Sequence, residues 1–142
     1  MSDDFIDSNV FVYLFDETDE PKRQVAQSLV ETALVEGSAQ ISFQVVQETL
    51  NVITQKLKVP VRLEDAHQFL DQVLVPLWKI NPNRVLYQRG LEIQTRYQLG
   101  FYDSLIIAAS LQAGCNTLFS EDLQHGQQIE TLTIQDPFRS VT

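Results

Sequence analysis

Four carboxylates fall where this chain passes from one element to the next: Asp7, Glu48, Asp103 and Asp122. Asp7 follows the apolar pair Phe5-Ile6, and Asp122 comes just after the apolar run Thr117-Leu118-Phe119. Glu48 lies in the expected first turn of an amphipathic stretch that starts at Gln44, and Asp103 opens a strongly apolar one. If the strands are parallel, their C-terminal ends share an edge, and the helices that follow begin on that edge. The four acids then converge on one crevice. Carboxylates gathered without a basic partner repel one another and disfavour their charged forms. A hard divalent cation, Mg²⁺ or Mn²⁺, resolves that conflict, taking some oxygen ligands directly and others through water. Each acid also has an ordinary structural role open to it. Asp7 and Asp103 can be helix N-caps, Asp122 a loop acid, and Glu48, beside Gln44 and Gln55 on the helical wheel, part of a solvated face.

The elements that must position these acids are organised around residues 100–126. From Leu105 to Leu111 the chain is almost wholly apolar or small, which requires a helix buried on most sides. Gly114 supplies the helix stop, Thr117-Leu118-Phe119 an internal strand, and Ser120-Glu121-Asp122 the exit from it. Upstream, Phe5-Ile6 is a short strand, and Asp7-Ser8-Asn9 favours a short helix over Val10 to Phe15. Pro21 opens a helix with Val25, Leu29, Thr32 and Glu36 along one face, and Gly37 stops it. Ala39 to Ser42 reads as a second strand. A helix from Gln44 to Leu57 carries the stripe Val46, Leu50, Ile53 and Leu57, and Pro60 breaks it. Another helix from near Leu63 turns Ala66, Phe69, Leu70, Val73 and Leu74 inward and ends at Pro76. Leu77 to Ile80 is a third strand, Asn81-Pro82-Asn83 starts a helix through Leu99, and Leu132-Thr133-Ile134, closed by Pro137, is the last strand. This alternation predicts one α/β domain over residues 1–142, a three-layer α/β/α sandwich with a mostly parallel sheet.

Composition narrows the function classes. The 142 residues carry a net charge of −9, which argues against broad nonspecific nucleic-acid binding but leaves nucleic acid open as a substrate reached through a metal ion. No apolar run is long enough to span a bilayer, and Asp3 and Asp4 stand where a secretory signal carries positive charge, so the chain reads as cytoplasmic. Cys115 is alone, which excludes an internal disulfide and a cysteine metal cluster. His67 and His125 lack ligand-like spacing and read as surface residues, with His125 near the mouth of the site.

Four blocks of the sequence carry a family resemblance: residues 7–13 (DSNVFVY), Ile41-Ser42 through Glu48 to Asn51, residues 101–109 (FYDSLIIAA) and residues 120–126 (SEDLQHG). In this order and without large insertions, they resemble the signature blocks of the PIN-domain family, and more narrowly of the VapC-like toxins of type II toxin–antitoxin pairs. The resemblance implies a Mg²⁺-dependent ribonuclease whose acidic quartet maps onto Asp7, Glu48, Asp103 and Asp122, with Ser8, Ser120 and Glu121 in supporting positions. It also implies homodimerisation and neutralisation by a small cognate antitoxin bound across the active-site groove. Val25, Leu29, Phe69 and Leu70 are the apolar positions expected at the dimer interface. In the mechanism that follows, carboxylate-held metal activates a water and stabilises charge on the phosphate. Asp7 and Asp103 are the expected direct ligands, with Glu48 and Asp122 as ligands through water or as orienters of the attacking water. RNA guidance is expected from Lys56, Lys58 and Arg62, or from Arg89 and Arg96, which share a helical face near Glu92 and have intrahelical ion pairing as their ordinary role.

Two rival classes bear on the same residues. A phosphoacceptor domain would carry a second Asp two residues after Asp7, where Asn9 stands, and a Lys after the last strand, where Gln135-Asp136-Pro137 follows. A non-catalytic PIN-like binding module would keep the fold and use the acidic groove for a basic partner peptide; a shared fold does not distinguish it from an enzyme.

Overall fold

The computed structural model describes residues 3–142. Short apolar segments form six strands: β1 (Asp4–Ile6), β2 (Ala39–Ser42), β3 (Trp78–Ile80), β4 (Thr117–Phe119), β5 (Gln128–Ile129) and β6 (Leu132–Gln135). They lie side by side in the order β3-β2-β1-β4-β6-β5, parallel throughout except for β5, which runs antiparallel to β6. Phe5 and Ile6 point to opposite faces of the central strand, yet they are 0% and 1% exposed, so helices cover the sheet on both sides. The three-layer α/β/α arrangement is the one expected.

The helices are α1 (Ser8–Tyr13), α2 (Glu20–Glu36), α3 (Phe43–Asn51), α4 (Leu63–Phe69), α5 (Val75–Leu77), α6 (Arg84–Tyr97) and α7 (Phe101–Gln112). Asp19 caps α2 by accepting from the Lys22 N–H, and Gly37 ends it in the left-handed conformation at φ 63°. The buried line of α2 is Ala26, Val30 and Ala33, so Thr32 and Glu36 face solvent instead of the core. Val25, Leu29, Phe69 and Leu70 are half-buried against this chain's own core, and Phe69 packs edge-on to Phe11 and Phe15.

Several boundaries differ from the sequence reading. The α3 helix stops at Asn51 and widens into a π-turn over Val52–Lys56, with the Leu57 N–H donating back to the Val52 carbonyl. Pro76 does not end the next helix. It sits inside α5, directly after a π-turn over Leu70–Leu74, and the wider turn relieves the clash a proline ring makes with the preceding carbonyls. The α6 helix ends two residues early, at Tyr97, because Gln98 adopts the left-handed conformation. The β5 strand was not expected: its Gln128 is polar and only Ile129 is buried.

The α7 helix is buried without interruption from Ser104 to Ser110, as its composition demands. It lies close against α6 at Gly90, where a Cβ would come within 2.7 Å of Leu105 Cδ2. The chain then turns at Gly114, φ 75°, into β4.

Candidate active site

The strand order reverses at β1, which has β2 on one side and β4 on the other. Ligand crevices of open α/β sheets lie at such a switch point, beyond the C-terminal strand ends. Ile6 is in register with Phe119, and the Asp7 N–H donates to the Phe119 carbonyl at 2.9 Å. Pairing between β1 and β4 therefore brings Asp7 level with Ser120, although 113 residues separate them along the chain.

Asp7 is 6% exposed and caps α1. Its Oδ1 accepts from the Ser8 N–H at 2.8 Å, and its Oδ2 from Ser120 Oγ at 2.8 Å. Burial pushes its carboxyl up to about 7; the Ser120 and Ser8 hydrogen bonds oppose that rise, and the charges of Glu48 and Asp122 add to it. Glu48 lies in the second turn of α3 instead of the first, because the helix starts at Phe43. It reaches the crevice all the same: Ser8 Oγ donates to its Oε1 at 3.3 Å. Burial holds its carboxyl above the ordinary range, hydrogen bonds from Gln44 and Ser8 oppose this, and Asp103 and Asp122 reinforce it. Asp103 is the third residue of α7 and not its cap, which is Gly100. Its carboxyl is also raised, by burial and then by Asp122. Asp122, just past β4, is exposed at the mouth. The four predicted acids thus share one crevice and act on one another electrostatically.

They do not close on a single point. Among the described residues, no group of three or more His, Cys, Asp or Glu side chains is arranged to hold a metal ion. One contact that separates them is the Asn9 amide, whose Nδ2 makes long contacts to Asp7 Oδ2 (3.4 Å), Asp122 Oδ2 (3.3 Å) and Ser120 Oγ (3.3 Å). Asn9 Oδ1 in turn accepts from the Glu121 N–H at 3.2 Å. The donor chemistry still fits a hard divalent cation. The quartet offers only carboxylate oxygens, none of them is in an ion pair with a basic side chain among the described residues, and three have raised carboxyls.

The supporting positions divide. Ser8 and Ser120 donate to the acids directly. The carboxylate of Glu121 is engaged elsewhere: it accepts from Lys22 Nζ at 2.7 Å and from Tyr13 OH at 2.6 Å. Lys22 also lies over the Tyr13 ring, 5.1 Å from its centroid. This bond to Glu121 holds the ammonium protonated well above its ordinary range and pins the loop after β4 to α1 and α2. The sequence reading missed Asn9, Gln44, Tyr13 and Lys22 as parts of the site. Asn9 read as a capping residue and Gln44 as a solvated one, whereas Gln44 is 6% exposed and donates to the Tyr102 carbonyl at 3.1 Å.

A cleft of about 320 Å³ beside Asp122 is lined by Ser8, Asn9, Tyr13, Asp16 and Glu121. A second, of about 390 Å³, shares Asp16 and adds the predicted Lys58 together with Arg23, which was not among the predicted residues and is paired with Glu20. Of the other predicted basic residues, Arg62 pairs with Glu64 and Arg89 with Glu130, so the expected pairing of Arg89 near Glu92 is not the one formed. Lys56 and Arg96 are exposed. His125 is a surface residue whose Nδ1 accepts from the Asp136 N–H.

Fold and site together define an α/β/α protein with an acidic crevice at the switch point of a parallel sheet. Residues 5–127 match the PIN domain model, and the chain belongs to the PIN-domain family. Solved structures of similar fold include VapBC2 of Rickettsia felis bound to a DNA fragment from their promoter (TM-score 0.66, 20% identity, 93% of this chain and 96% of that one). A toxin–antitoxin complex from Klebsiella pneumoniae is similar as well (0.66, 17%, 94% and 96%). So is VapC20 of Mycobacterium tuberculosis, a sarcin-ricin loop cleaving toxin (0.60, 16%, 84% and 91%). At these identities the likeness is one of fold. Comparison with curated protein sequences gave no match.

Proposed function

We propose that this protein is a divalent-metal-dependent ribonuclease and the toxin of a toxin–antitoxin pair. The observation that carries the reading is the convergence of Asp7, Glu48, Asp103 and Asp122 on one crevice with no basic side chain paired to them among the described residues. Membership of the PIN-domain family supports it, as do structural neighbours that are a toxin–antitoxin complex and a sarcin-ricin loop cleaving toxin.

Asp7, Glu48, Asp103 and Asp122 would hold Mg²⁺ or Mn²⁺. When bound, the cation supplies Lewis-acid activation of water and stabilisation of negative charge on the phosphate. The protein's own groups prepare the acids for that role. Ser120 and the Ser8 N–H stabilise Asp7 in its charged form, and Ser8 Oγ and Gln44 do so for Glu48. With its carboxyl raised to about 7, Asp7 is only part-ionised near neutral pH in the metal-free site; cation binding requires the ionised form, so affinity rises with pH. Lys58, along the adjoining cleft, is the cation best placed to meet an RNA backbone; Arg23 lines the same cleft but is paired with Glu20. A small antitoxin covering the acidic crevice is the expected protein partner.

RNA turnover measured with Mg²⁺ and with chelator tests the reading. Asp103→Asn should fold normally and lose at least about 100-fold in turnover, because an amide is a poor ligand for a hard cation. Full activity in chelator, or in Asp103→Asn, would refute it; binding of a basic peptide without turnover would point to the non-catalytic alternative.

A further inference from the structure

The first turn of α7 places two large aromatic side chains in solvent immediately before Asp103. Tyr102 is 66% exposed and Phe101 37%. They pack edge to face, with ring centroids 5.3 Å apart and planes at 73°. Neither is needed to fill the core, which α7 supplies from Ser104 onward. Their position is fixed relative to the acids. Gln44 donates to the Tyr102 carbonyl at 3.1 Å and also hydrogen-bonds Glu48, so one buried amide ties the aromatic turn to a candidate catalytic carboxylate.

We infer that Phe101 and Tyr102 form a stacking platform for an unpaired base of the RNA substrate, setting which nucleotide lies beside the acidic crevice. This rests on the ribonuclease reading and extends it to the choice of cleavage site. A chain of net charge −9 gains little from electrostatic attraction to a polyanion, and its crevice is lined with acids. Base–aromatic stacking is the compensating interaction that needs no positive surface, and it selects single-stranded over paired RNA because a paired base already stacks in its own helix. Tyr102 and Asp103 share the first turn of α7, so a base on the platform lies within a helical turn of a candidate catalytic carboxylate.

The test uses Tyr102→Leu and Phe101→Leu, with Tyr102→Phe as the variant that keeps a ring. Binding of a fluorescent single-stranded RNA is measured in chelator, where no turnover occurs, alongside an abasic backbone of equal length. The expected result is that Tyr102→Leu weakens RNA binding about 5- to 100-fold, leaves abasic binding unchanged, and raises KM more than it lowers kcat. Tyr102→Phe should stay close to wild type. Equal losses for RNA and abasic backbone, or wild-type RNA binding in both leucine variants, would overturn the platform. So would a variant that keeps its RNA KM and loses only the binding of a protein partner. Wild-type protein that cleaves while Tyr102→Leu keeps its KM removes the platform alone; wild type that never cleaves with metal removes the ribonuclease reading.

Discussion

Asp7 accepts two short hydrogen bonds and still holds its proton up to about pH 7, because burial and two neighbouring carboxylates outweigh the donors. Between the ordinary aspartate range and that value the native chain keeps a proton the unfolded chain has released, so stability falls as pH rises through the window. Glu48 and Asp103 act with the same sign. In chelator, Asp7→Asn should therefore leave stability almost unchanged at about pH 4 and raise it at about pH 8, on the order of a few kcal/mol. Urea midpoints at the two values check this, and a variant less stable at the higher pH would show that the charged carboxylate has a stabilising partner. Thr49 presents a separate case on the same helix as Glu48. Its Oγ1 is buried with no hydrogen-bond partner among the described residues, and the residue is 0% exposed. Thr49→Val keeps the shape, removes the unmatched hydroxyl and should stabilise by about 1 kcal/mol in the same denaturation assay.

The α6–α7 pair is the element that places Asp103, and its close approach depends on the missing side chain at Gly90. A Cβ there would meet Leu105, which is 3% exposed and has little room to move. Gly90→Val should cost about 1–3 kcal/mol through overpacking, beyond any gain in helix propensity. Because the displaced element carries Asp103 and the aromatic turn, turnover should fall in the residual folded protein as well. A thermal melt together with activity per folded molecule separates the two effects.

For the whole molecule, linkage makes the metal a stabiliser. At a hundredfold excess over its dissociation constant, Mg²⁺ or Mn²⁺ should raise stability by about 2.7 kcal/mol if unfolded chains do not bind it. The gain should shrink in Asp103→Asn. Melts in excess metal and in chelator measure it, and an unchanged melting temperature would count against a metal site. Homodimerisation is the second expectation at this scale. Val25, Leu29, Phe69 and Leu70 are partly covered within the chain, but Val35, Leu63 and Val75 on α2, α4 and α5 are 85%, 72% and 46% exposed. These helices should supply the interface, and light scattering at micromolar concentrations should return twice the chain mass; a monomer mass would exclude it.

The sequence alone determined the parallel α/β/α layering, because apolar triplets alternating with amphipathic stretches leave few other ways to bury both faces of a sheet. It also determined the acids at the strand ends, since local chemistry such as the Asp7 cap and the Gly114 stop marks those boundaries residue by residue. Tertiary structure decided what depends on neighbours distant along the chain. The Ile6–Phe119 register brings Ser120 to Asp7, and Asn9 comes to touch Asp7 and Asp122 together. Lys22 and Tyr13 take the carboxylate of Glu121 away from the acids it adjoins in sequence. Helical periodicity puts Gln44 and Glu48 on one polar face, and only the tertiary approach of the first turn of α7 gives the Gln44 amide a backbone carbonyl to meet. A side chain's partners across elements are fixed by packing, and composition and spacing carry no direct trace of them.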